Sequence, residues 1–132
     1  MEATKESSTV LNFAYSTEDT VETKIGKIAT QIYGAEGVDF SQHAIEKLDL
    51  FRKNNLDALP VCMAKTPDSL SDNPGLRGRP KGFRVSVRDF EIANGAGFLV
   101  AMTGALVRMP ALPRVPAAER IQMDDQGKIS GW

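Results

Sequence analysis

The sequence predicts a small α/β domain with two N-terminal helices, a mixed sheet and a C-terminal hairpin. Three observations carry that prediction. Apolar residues recur at helical spacing between Val21 and Phe51. Beyond Leu59 the pattern changes to short apolar runs and strict alternation, which is how strands read. The 132 residues, 42% of them hydrophobic, are enough for one core that buries roughly two-thirds of the unfolded chain's surface without a metal or disulfide staple.

The same composition narrows the function classes. Sixteen basic and seventeen acidic side chains leave a net charge of −1, which argues against a general nucleic-acid binder. A lone cysteine, Cys62, excludes an internal disulfide and a cysteine-cluster metal site, and it suits a reducing compartment. The longest apolar stretch, 98–109, is broken by Thr103, Gly104 and Arg108. It is also shorter than the ~20 residues a spanning helix needs. Met1 to Glu6 is polar and lacks the apolar core of a signal peptide. The expectation is a cytoplasmic protein that engages neither membrane nor nucleic acid.

Residues 1–12 read as a disordered lead-in, and the domain is expected over 13–132. A first helix is predicted from near Thr17, because Ser16 and Asp19 have capping-box spacing. Val21, Ile25, Ile28 and Ile32 would form its buried face, with Glu22, Thr23 and Lys27 opposite. Gly34 should end it in a left-handed cap. A turn over Ala35-Glu36-Gly37 then leads through Asp39 and Phe40 to Ser41, which can cap a second helix running to about Asn54. Its stripe is Ala44, Leu48 and Phe51, flanked by Ile45.

Leu59 to Ala64 reads as a short buried strand and Lys65 to Gly82 as a long irregular stretch rich in proline and glycine. Phe83, Val85 and Val87 alternate with Arg84, Ser86 and Arg88. After Asp89 the phase flips to Phe90 and Ile92, so either a bulge near Asp89 or two separate strands is expected. Asn94 to Gly97 is a turn, and Phe98 to Met102 a buried strand or short buried helix. Pro110, Pro113 and Pro116 mark an extended strap. Residues 121–130 form a hairpin around Asp124 to Gly127.

Most single residues have bland readings. His43 is a surface histidine with no second histidine to share a metal, and Cys62 is a buried structural thiol. Gly95-x-Gly97 lacks the Lys-Ser or Lys-Thr of a phosphate loop and is a tight turn. The proline strap packs on its own domain, and Asp124, Asp125 and Gly127 fall short of a calcium loop. No catalytic or metal-ligating residue stands out.

Charge, however, is uneven. Residues 1–66 hold seven basic and ten acidic side chains, and residues 67–132 hold nine and seven. Leu76 to Arg88 carries Arg77, Arg79, Lys81, Arg84 and Arg88 with no acid. With the preceding loop, Ala64 to Asp72, this is the candidate substrate- or anion-binding element. Lys65 offers a point charge. Thr66, Ser69 and Ser71 offer hydroxyls. Arg77 and Arg79 offer planar forks suited to carboxylate or phosphate, and Lys81 a further cation. The alternative is a solvated loop closed by its own hydrogen bonds, and composition does not choose between them.

The loop also carries a resemblance. Leu59-Pro60-Val61-Cys62-Met63-Ala64-Lys65-Thr66, Ser69-Leu70-Ser71-Asp72 and Gly78-Arg79-Pro80-Lys81-Gly82-Phe83 closely resemble the C-terminal part of formate–tetrahydrofolate ligase, in the style of the bacterial monofunctional enzyme. Ile32-Tyr33-Gly34-Ala35-Glu36-Gly37-Val38 agrees upstream. Gly95-Ala96-Gly97-Phe98, Thr103-Gly104 and Met109 to Glu119 agree downstream. The likeness runs from about Phe13 to Trp132. Ala111 departs from it, standing where the family commonly has glycine, as does the Gly131-Trp132 end, where relatives often finish Gly-Leu-Phe.

The resemblance implies a parent enzyme that joins formate to tetrahydrofolate with magnesium ATP, through formyl phosphate. It also implies activation by a monovalent cation and a tetrameric assembly. The family's phosphate loop lies far upstream and has no counterpart here. The implied partners are therefore the rest of the ligase chain, further copies of it and its small-molecule substrates. The chain alone is expected to be inactive. A stand-alone binding fragment is the alternative.

Overall fold

A computed structural model describes residues 12–104 and 114–131. Helix α1 spans Val21–Lys27, and Thr20 caps it by accepting a hydrogen bond from the Thr23 amide at 3.3 Å. This start lies four residues later than the Ser16–Asp19 spacing predicts. The pair does form: the Ser16 amide donates to Asp19 Oδ2 and the Asp19 amide to the Ser16 carbonyl. That reciprocal closure makes a separate turn, and the extended Thr20 divides it from the helix.

Beyond Lys27 the helix widens into a π-helical segment, Ile28–Tyr33. The Gly34 amide donates to the Ala29 carbonyl, five residues back. The wider turn carries the fourth residue past the buried face and brings in the fifth. Ile32, expected inside, is therefore 47% exposed, and Tyr33 is buried instead. Gly34 ends the segment at φ 80°, as its sequence position implies. On α1 itself Lys24 is fully buried, a placement no apolar period predicts. Its Nζ donates to the Asp57 carbonyl and, at 3.1 Å, to the Leu59 carbonyl, which ties α1 to the chain entering the second strand.

Strand β1, Gly37–Phe40, replaces the predicted passage from turn to helix. Four residues opening on glycine carry no alternation to read, and their partner lies 47 positions on. Helix α2, Gln42–Lys53, is capped as expected: the Ala44 amide donates to Ser41 Oγ at 3.1 Å. Ala44, Leu48 and Phe51 are its buried face.

Strands β2 (Val61–Ala64), β3 (Arg84–Ala93) and β4 (Phe98–Thr103) complete a sheet of order β1-β3-β4-β2. β1 runs parallel to β3 and β2 parallel to β4, while β3 and β4 are antiparallel, so the sheet is mixed. Of the two explanations for the phase flip the bulge is the one found: β3 is continuous, and its register against β4 shifts between Val87 and Asp89. The shift keeps Val85, Val87 and Phe90 all facing the core. There Phe90 meets Phe51 edge-on at 5.7 Å and stacks on Phe40 at 6.4 Å.

Cys62 corrects the sequence reading. It is exposed, not buried. β2 is an edge strand, and alternate residues of a strand face opposite ways. Val61 therefore points into the core and Cys62 away from it. His43 is at the surface, as expected, 3.3 Å from Asp89. The terminal hairpin forms from β5 (Gln122–Met123) and β6 (Ile129–Ser130). The lead-in, apart from Asn12, and the strap at Pro110 and Pro113 lie outside the described residues. No helix among the described residues is long and apolar enough to cross a membrane.

Candidate functional site

The loop from Lys65 to Gly82 starts where β2 ends and returns to the start of β3. The parallel and antiparallel pairings bring the C-terminal ends of β2 and β4 and the N-terminal ends of β1 and β3 to this one edge. Carboxyl ends of strands are where α/β sheets place ligand-binding loops.

The loop is closed by its own polar groups. Thr66, Ser69 and Ser71 are all buried. The Thr66 hydroxyl accepts from the Asp68 amide and donates to the Asp68 carboxylate, both at 3.3 Å. The Ser69 and Ser71 hydroxyls share a 2.7 Å hydrogen bond, and the Asn73 amide donates to Ser71 Oγ. Between the arms, the Leu70 amide donates to the Gly78 carbonyl at 2.7 Å. Asp72 pins the loop to the sheet, its Oδ2 accepting from the Ser86 amide at 2.8 Å. Gly104 allows this approach, because a Cβ there would strike the Asp72 carbonyl. The three hydroxyls proposed from sequence are thus engaged within the protein.

Lys65 is half-buried and plays the same inward role. Its Nζ donates to the Thr66 carbonyl at 2.8 Å and the Ser69 carbonyl at 2.6 Å, and lies 5.8 Å from the centre of the Tyr33 ring. Burial pushes the Tyr33 phenol up from its ordinary value, and nearby Cys62 adds to the shift. The phenol therefore stays neutral and serves as a platform.

The basic run separates into engaged and open charges. Arg77 pairs with Asp68. Arg84, on β3, forks onto Asp39 of β1, with Nη2 to Oδ1 at 2.7 Å and Nε to Oδ2 at 2.9 Å. That hydrogen-bonded pair lowers the Asp39 carboxyl and raises Arg84. Arg79 donates through Nε to the Ile32 carbonyl at 3.2 Å, completing the C-terminal end of the π-helical segment, where a cation is favoured. Its guanidinium lies across Gly34, whose added Cβ would sit 2.8 Å from Nη2. Lys81 is exposed and makes no hydrogen bond or ion pair among the described residues. The outward positive charge at this edge thus comes from Arg79 and Lys81, with Arg77 partly neutralised.

Sequence reasoning missed the partners that hold these groups: Tyr33, Gly34, Asp39 and Asp72. Tyr33, Gly34 and Asp72 had a signal, since they fall in the Ile32 to Val38 and Ser69 to Asp72 stretches that carry the family likeness, and Asp39 had none. Asp39 and Asp72 are set by pairings over 14 to 45 residues that no local spacing shows. No three His, Cys, Asp or Glu side chains converge as metal ligands among the described residues. The arrangement leaves the Arg79 and Lys81 cations exposed, and among the described residues of the loop no nucleophile is paired with a base.

The sequence of the chain matches a known family. The family model of formate–tetrahydrofolate ligase covers residues 1–132. The formate–tetrahydrofolate ligase of Bacillus licheniformis is 47% identical over 120 residues, 91% of this chain and 22% of its own length. That of Campylobacter concisus is 50% identical over 121 residues, 92% of this chain and again 22% of its own. The chain spans about a fifth of the length of the curated relatives it matches. With the model matched from end to end and half of the residues shared, the chain belongs to the formate–tetrahydrofolate ligase family.

Proposed function

We propose that this chain is the C-terminal segment of a ligase that joins formate to tetrahydrofolate, with ATP as the driving nucleotide, to give 10-formyltetrahydrofolate in one-carbon metabolism. In this reading the Lys65 to Gly82 loop forms one wall of the substrate cleft. Lys65, Thr66, Ser69 and Ser71 build the wall from inside. Arg79 and Lys81, with Arg77 beside them, face the ligand. The observation that supports this best is the pair of exposed cations, Arg79 and Lys81, on the chain leading into β3, held by a loop whose hydroxyls and Lys65 turn inward. A carboxylate of the folate glutamate suits the planar Arg79 fork.

The triphosphate and magnesium do not fit this segment. It has no glycine-rich loop ending in Lys-Thr, and its described residues offer no convergent metal ligands. We therefore place them, and any monovalent cation, on the remainder of the ligase chain. This chain's residues bind and orient, a contribution that positioning alone makes substantial. The isolated segment is then inactive, the parent enzyme is a cytoplasmic oligomer of the tetrameric kind, and the remaining polypeptide is the first partner.

The test is a ligase in which this chain replaces the matching segment. Arg79→Ala with Lys81→Ala should raise the KM for tetrahydrofolate about three- to tenfold, as loss of exposed charged hydrogen bonds does. The KM for formate should stay where it is. If both constants and turnover are unchanged, the loop is not part of the cleft.

A further inference from the structure

Every residue from 114 to 131 is exposed. The segment is nonetheless ordered by its own bonds. The Arg120 and Ile121 amides donate to the Ala117 carbonyl at 2.9 and 3.0 Å. Asp124 Oδ1 accepts from the Gln126 and Lys128 amides at 3.0 and 2.9 Å, which closes the turn between β5 and β6. Gly131 packs so closely on the Arg120 carbonyl that no side chain fits there. This is a folded arm with no buried residue among those described.

Four large apolar side chains on it stand exposed. Val115, Ile121, Met123 and Ile129 are 53%, 45%, 71% and 56% exposed. Charge on the arm balances, with Arg114, Arg120 and Lys128 against Glu119, Asp124 and Asp125. A balanced arm has no electrostatic pull toward phosphate or an anionic membrane. A lone two-stranded hairpin is marginal in water, and four uncovered large apolar side chains on it call for a covering surface.

The geometry points to residues 114–131 as a docking arm that lies on the rest of the ligase polypeptide, on an uncharged apolar patch of that chain. The inference rests on the reading of this chain as a ligase segment. The matched part is 22% of each relative, so nearly four-fifths of the polypeptide is available to supply the patch. Contact within one chain also holds at any protein concentration, which an arm exchanged between copies does not.

Hydrogen exchange over residues 114–131 tests this. In the 132-residue chain alone these amides should exchange quickly. In the intact Bacillus licheniformis ligase the matching hairpin should exchange at least about a hundredfold more slowly. Equal, fast exchange in both overturns the inference. Slow exchange in the short chain together with a doubled mass in light scattering overturns it too, in favour of a second copy.

As a second measurement, Met123→Lys with Ile129→Lys should lower the Tm of a ligase carrying this segment by about 4 °C or more and leave the short chain's Tm unmoved. Equal insensitivity in both again overturns it. The unsubstituted hybrid separates the two ideas. An inactive hybrid with a protected hairpin sinks the ligase reading and spares the arm, and an active hybrid with an unprotected hairpin does the reverse.

Discussion

At Gly34 two demands meet in one residue. The backbone sits at φ 80°, and the Arg79 guanidinium occupies the space a Cβ would need. Gly34→Ala should therefore cost about 1–2 kcal/mol of stability in urea denaturation, and it should also displace the Arg79 guanidinium from its place over Gly34. Lys24 shows how a buried charge registers in pH. Burial depresses its pKa from 10.5, opposed by nearby Asp57, Asp19 and Glu18. The native state then binds fewer protons than the unfolded one between the depressed value and 10.5, so stability rises with pH across that window. Lys24→Met should flatten this alkaline rise. At neutral pH it should cost about 1–3 kcal/mol, because the Asp57 and Leu59 carbonyls lose their donor. Denaturation curves taken from about pH 7 up to the ordinary lysine value would show both effects.

At the scale of elements, the dock between α2 and β3 is where charge and packing join. Ser41 caps α2 and also donates through Oγ to the Arg88 carbonyl at 2.6 Å. Ser41→Ala should cost about 1–2 kcal/mol. At the bulge, burial pushes the Asp89 carboxyl up, but hydrogen bonds from Lys47 at 2.6 Å and the Phe90 amide, with His43 close by, bring it below 3.8. Its folded pKa is thus depressed. The stability it gives is present above about pH 3.8 and disappears as pH falls through the native value. Asp89→Asn should be less stable than the parent at neutral pH, and the two acid-unfolding curves should converge below that point. Beneath the dock, Phe90 contacts both Phe40 and Phe51, and Phe90→Ala should cost about 3–5 kcal/mol.

The helices were legible where apolar period and cap agreed, as at Ser41 with Ala44, Leu48 and Phe51. The phase flip announced the β3 bulge. β1 was not legible, because its order comes from pairing with β3 rather than from its own four residues. The π-helical widening escaped too, since Val21, Ile25, Ile28 and Ile32 fit an α-helical period that the chain leaves after Lys27.

Across the whole molecule, a two-helix layer on a four-stranded mixed sheet holds one basic loop at a strand-end edge and extends one exposed arm. The position of the loop was readable from its composition and its family likeness. The division of labour within it was not. Lys65 and the three hydroxyls turn inward through contacts among loop residues, and which arginines meet acids depends on Asp39 and Asp68. In the proposed function Arg79 and Lys81 hold an anionic part of the folate. Isothermal titration of the folded 132-residue chain with tetrahydrofolate tests it most directly. The chain should give a saturable heat that weakens with added salt and is lost when Arg79→Ala and Lys81→Ala are combined. A chain that is folded by circular dichroism and gives no heat, or the same heat without those two charges, would contradict it.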